Sequence, residues 1–162
     1  MAFPGTRTAV EWLAAAAPDP DACRWEWERA PRGVALLPAG VHWDVLITPG
    51  PLGSAALGVL RRLPAPPGPV LAAGRTSRLG FFVPAGTASR WIGTGVRGAG
   101  RGSWIAVPYP GRATGGPRWL HLPDGRGTLT DPGLLELALH EAAARILAGE
   151  RIPAGEPGGG PA

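Results

Sequence analysis

Apolar residues recur along this chain in two rhythms: helical spacing of three to four positions, and short unbroken runs closed by Gly or Pro. Near the N-terminus, Val10, Leu13 and Ala14 fall on one side of a helix expected from about Thr6 to Ala17, which Pro18 and Pro20 end. A second short helix fits Asp21 to Ala30 and carries Trp25 and Trp27. The runs Val34 to Leu37 and His42 to Thr48 read as strands, joined as a hairpin around Pro38-Ala39-Gly40. Helical spacing returns over Leu52 to Leu63, with Arg61 and Arg62 near the end where the macrodipole favours cations. Further strands are expected at Val70–Ala73, Leu79–Val83, Trp104–Val107 and Arg118–Leu122, the third preceded by a glycine-rich connection from Gly93 to Gly102.

The last helix has the clearest signals. Thr130 or Asp131 caps it, Pro132 suits its first turn, and Leu135, Leu139, Ala142, Ala143 and Ile146 are expected to form its buried stripe. Glu141 and Arg145 are spaced for an i,i+4 pair, His140 is expected to pair with Glu136, and Gly149 stops the helix. No internal repeat is present. The pattern implies one α+β domain over residues 1–152, with a mixed or antiparallel sheet of about six strands flanked by helices, and a disordered tail at 153–162.

Composition narrows this picture. A chain of 162 residues is the size of one domain. Its 26 Gly and 20 Pro punctuate apolar runs instead of forming one tract, which indicates a loop-rich fold. Every basic residue is Arg. GC-rich coding produces that bias, so it is not by itself a sign of phosphate recognition. The placement of charge says more. From Arg61 to Arg126 there are ten Arg and one acid, Asp124, while the remainder holds six Arg and eleven acids. A polyanionic partner is favoured if the arginines share a face.

Cys23 is the only cysteine, which leaves no disulfide framework and suits a buried, inert thiol. No apolar run is long enough to span a bilayer. Glu11 interrupts the apolar N-terminal stretch and no basic segment precedes it, so export is not expected and the expected compartment is the cytoplasm.

Candidate chemistry is sparse. Gly93 to Gly98 satisfies G-x-G-x-x-G, but a strand follows it where a dinucleotide site needs a helix. The same loop carries Arg97 and Arg101, which are either solvated or available to a phosphate. His42 and Asp44 stand two apart on an expected strand and would share a face; no nucleophile accompanies them, so structural hydrogen bonding is the expected role. His121 and His140 lack metal-ligand spacing. Of seven Trp, Trp12, Trp25 and Trp43 read as core. Trp91, Trp104 and Trp119 lie in the basic span, where they serve either as core or as platforms for unstacked bases.

Read in order, VALLPAG, WDVLITPG, SRLGFFVP, GVRGAGRGSWIAVPYP and RWLHLP are similar to successive strands of the bifunctional DNA primase/polymerase N-terminal domain family, of the archaeo-eukaryotic primase superfamily. The resemblance covers roughly residues 33 to 125. It implies a primase/polymerase-like fold and a site where carboxylates hold divalent metal for nucleotidyl transfer. The acids are missing from this chain. Ile47, Thr48 and Pro49 stand where the family's Asp-x-Asp pair falls, Gly95 where its third Asp falls, and Arg78 near its histidine. Hydrocarbon and bare backbone cannot hold Mg²⁺ or Mn²⁺.

The resemblance therefore implies a degenerate, non-catalytic copy with no metal or cofactor, binding single-stranded nucleic acid or a nucleotide. Arg78, Arg97, Arg101 and Arg118, with Trp104 and Trp119, are the expected contacts. The alternatives are a protein-interaction module on the same scaffold, and an active polymerase whose carboxylates are Asp44, Asp124 and Asp131. If the first reading holds, Ile47, Pro49 and Gly95 should meet at the floor of one cleft.

Overall fold

The computed structural model describes residues 4–30, 33–74, 77–93, 95–111 and 116–149, and is α+β. Its helices are α1 (Pro4–Ala14), α2 (Pro20–Arg29), α3 (Gly50–Arg61), α4 (Thr87–Arg90) and α5 (Pro132–Leu147). Its strands are β1 (Val34–Pro38), β2 (Trp43–Pro49), β3 (Val70–Ala73), β4 (Arg78–Pro84), β5 (Arg97–Ala99), β6 (Trp104–Pro108) and β7 (Arg118–His121). All pairings are antiparallel. Five strands form one sheet in the order β5-β2-β4-β3-β7, and β1 pairs with β6 in a separate ribbon. The expected disordered tail lies outside the described residues.

Side chains alternate across a strand, so the register gives the main sheet two distinct faces. On one face Leu46, Val70, Leu79, Phe81 and Val83 pack against Leu57 and Leu60 of α3 and Leu135, Ala138 and Leu139 of α5. On the other, Trp43, Val45, Leu71 and Phe82 meet Leu13 of α1, Trp27 of α2, and the inward residues of the ribbon, Ala35, Leu37 and Val107. The sheet is thus a middle layer with apolar cover on both sides. Burying one large apolar side chain stabilises by roughly 1.5–3 kcal/mol, so neither layer is dispensable.

Local chemistry fixes the ends of these elements. Asp19 accepts from Ala22 N at the start of α2, and Asp131 accepts from Leu134 N at the start of α5. Of the two candidate caps for α5, Asp131 therefore does the work; Thr130 Oγ1 instead accepts from Gly68 N, tying the incoming loop to the β3 side. The Glu141–Arg145 pair forms at 2.7 Å. Cys23 is buried, and burial above all, then the charge of Glu26, pushes its thiol up to about 11. Among the described residues no helix is long and apolar enough to cross a membrane.

Several expectations need correction. β1 and β2 are not a hairpin: β1 pairs with β6, and β2 lies between β4 and β5. Gly40, at φ 89°, presses against the Arg101 backbone, where a Cβ would stand 2.6 Å from its Cα. The chain there turns from the ribbon into the main sheet instead of reversing. The glycine-rich connection contains a further strand, β5, and α4 precedes it. Trp25 is 56% exposed, under the Arg29 guanidinium at 4.3 Å, and is not core. His140 and Glu136 do not bond to each other among the described contacts.

Candidate anion-binding cleft

The end of β2 brings two arginines together. Strand pairing sets Pro49 opposite Arg78 of β4 on one side of β2, and Ile47 opposite Arg97 of β5 on the other. All four residues sit at positions of the same parity, so the two arginines flank the end of β2 on one face. The next residues enter α3. Its first turn contains Pro51, and no side chain caps it. Uncapped N–H groups and the helix dipole make such an end favourable for anions.

A hollow of about 310 Å³ occupies this corner, lined by Ile47, Thr48, Pro49, Gly50, Pro51, Ser77, Arg78, Gly95 and Arg97. Thr48 is fully buried and its Oγ1 has no hydrogen-bond partner. That oxygen lies beneath the first turn of α3, since a Cβ on Gly53 would approach it to 2.2 Å. Ser77 adopts φ 49°, in the left-handed region that costs a non-glycine residue energy and recurs at functional sites. Arg78 and Arg97 are exposed, and neither forms an ion pair with a described acid.

A second hollow of about 410 Å³ shares Ile47, Arg78 and Arg97 with the first. It opens between the main sheet and β6, over Val45, Leu71 and Gly80, with Trp104 at its edge. Gly80 lies across from Ile47 and Leu71 on neighbouring strands, and Val45 packs over it, its Cγ1 2.9 Å from where a Cβ would stand. A polar corner therefore adjoins an apolar slot, and the same two guanidinium groups serve both.

Three of the six expected contacts converge here: Arg78, Arg97 and Trp104, the last 55% exposed. The other three do not line either hollow. Arg101 sits in the β5–β6 turn against Gly40. Arg118 pairs with Ala72, whose neighbour Leu79 belongs to the α3–α5 face, so it points away from the cleft. Trp119 is spent on packing: its ring lies 5.7 Å from that of Phe82, and its Nε1 donates to Pro108 O. The basic span thus does not present one face. Ser77 and the start of α3 are not among the sequence candidates, and Thr48 entered only as a residue at the Asp-x-Asp position; Gly50-Pro51 directly after a strand is the available hint.

The three carboxylates of the active-polymerase alternative are committed separately. Asp44 is 1% exposed on the opposite face of β2 from Ile47, and its Oδ2 accepts from Gly86 N and Ala88 N, both at 2.9 Å. Asp124 closes its own loop through Arg126 N and the Thr128 hydroxyl. Burial alone would raise its pKa, but these bonds and the Arg126 charge together hold it below the usual carboxylate value. Asp131 caps α5. His42 stands just before β2 and contacts Ala15 O, so it does not orient Asp44. Among the described residues no group of three or more His, Cys, Asp or Glu is placed to hold a metal ion. The metal ions that the family resemblance implies do not fit the residues of this corner. Comparison with family models, curated proteins and solved structures finds no match to the chain.

Proposed function

We propose that this chain is a non-catalytic, primase/polymerase-like domain that binds single-stranded nucleic acid or a nucleotide through the Arg78–Arg97 cleft. One observation carries the reading. Ile47, Pro49 and Gly95, which stand where the resemblance expects metal-binding acids, line one hollow together with two arginines that pair with no described acid. With hydrocarbon at those positions, phosphate charge is met by guanidinium forks and helix N–H groups in place of metal. The adjoining apolar slot and exposed Trp104 offer a base a dry, stackable surface.

Fluorescence anisotropy of a labelled single-stranded oligonucleotide, measured across salt concentration, tests this. Binding should weaken steeply with salt, because phosphate contacts release counterions. Arg78→Ala and Arg97→Ala should each weaken it and lower the log–log salt slope by about 0.7. Arg118→Ala, on the other face, should change neither. Absence of binding by any oligonucleotide or nucleotide at low salt removes the proposal. Primer extension with Mn²⁺ that depends on Asp44 would restore the polymerase alternative.

A second reading, a protein-interaction module, draws on the outer face of the β1–β6 ribbon. There Leu36 is 61% exposed, beside Val34 on the same side. A partner that co-purifies after nuclease treatment supports it.

A further inference from the structure

A third hollow, of about 340 Å³, lies between the α4–β5 connection and one side of α5. Leu52, Leu139 and Ala143 form an apolar wall, and Arg90 and Glu136 supply opposite charges. Neither charge forms an ion pair with a described residue. Arg90 and Glu136, both exposed, therefore line one space without pairing with each other. Trp91 also faces this space; its Nε1 is buried without an acceptor beneath Gly93, where a Cβ would stand at 2.6 Å. At the rim, Ile92 is 93% exposed, an apolar side chain left in water beside an apolar wall.

We propose that this hollow binds a free apolar α-amino acid. Its carboxylate meets Arg90, its ammonium group meets Glu136, and its hydrocarbon side chain lies on Leu52, Leu139 and Ala143. Charge selects this class. A simple anion is repelled by Glu136 and a simple cation by Arg90. A neutral apolar molecule would cover the apolar wall but engage neither charge. A zwitterion with an apolar body meets all three surfaces. Arg offers the carboxylate a two-pronged contact, and the ammonium donates to the Glu136 carboxylate. The volume is at the small end of the roughly 300–1,000 Å³ typical of ligand pockets, which suits a small molecule. His140, one helical turn from Glu136, lines the same side and adds a polar rim. This site is separate from the arginine cleft: Arg78 and Arg97 do not line it.

Isothermal titration of the full chain with L-leucine and L-phenylalanine, beside N-acetyl-L-leucine and L-leucinamide, tests the proposal. The free amino acids should bind, and blocking either charged end should weaken binding by about tenfold or more. Arg90→Gln and Glu136→Gln should do the same, with unchanged circular dichroism, while Arg78→Ala keeps full affinity. Two results overturn it: no heat from any free amino acid at millimolar concentration, or blocked derivatives that bind as well as the free ones. Because the comparison of ligands uses the unaltered protein, it does not depend on how the variants fold.

Discussion

Asp44 is held by two backbone N–H groups at the turn into α4, while its Oδ1 has no partner. Removing the carboxylate leaves Gly86 N and Ala88 N without their acceptor in a part-buried site. Asp44→Ala should therefore cost about 1–3 kcal/mol in urea unfolding. Asp44→Asn, which retains an acceptor oxygen, should lose less. Equal losses would show that the hydrogen bonds are not what matters. His121 makes a second residue-scale prediction. Burial first, and the Arg61 charge next, lower its pKa in the folded protein. The unfolded chain takes up the proton near pH 6.5, so it binds more protons than the folded one just below that value. The contribution of His121 is complete above about pH 6.5 and is lost as the pH falls through its lowered folded value. Stability measured from pH 7.5 down to 5 should fall less in His121→Gln than in the parent.

The junction of β2 and α3 shows how an element is placed by what it cannot accommodate. A Cβ on Gly53 would stand 2.2 Å from Thr48 Oγ1 and 2.9 Å from the Leu79 Cβ. Alanine is the better helix former by about 1 kcal/mol. Here overpacking, about 1–3 kcal/mol, outweighs that gain, so Gly53→Ala should lower the unfolding midpoint. A stabilised variant would mean that α3 can shift outward freely. This junction also marks the boundary of what the sequence discloses. The α3 stripe, Leu135, Leu139 and Ala142 of the α5 stripe, the Asp131 cap and the Val70–Ala73 strand follow from periodicity and capping chemistry, which are local; Ile146, expected in the same stripe, is exposed. Thr48 beneath the helix start and the strained Ser77 depend on backbones brought together from β2, β4 and α3, and no local pattern encodes that. β5 is three residues long in a glycine-rich run, too short to show an alternation. The same limit explains the arginines. Their clustering in sequence is plain, but strand register sends Arg78 and Arg97 to one face and Arg118 to the other.

For the whole molecule, two layers enclose one sheet, and the described polar hollows lie at its margins. The arginine cleft forms where the end of β2 meets β4, β5 and β6; the hollow beside α5 forms where α3, α5 and the approach to β5 meet. Each site draws on segments distant in the chain, so each needs the assembled fold. The ribbon makes this dependence sharpest. β1 finds its partner only in β6, and Trp27 donates to Val107 O, 80 positions later. Until β6 is in place, β1 has no strand to complete the ribbon and the Trp27 indole has no acceptor. Completing the ribbon is therefore a long-range step, of the kind that slows folding because distant segments must meet before either is covered.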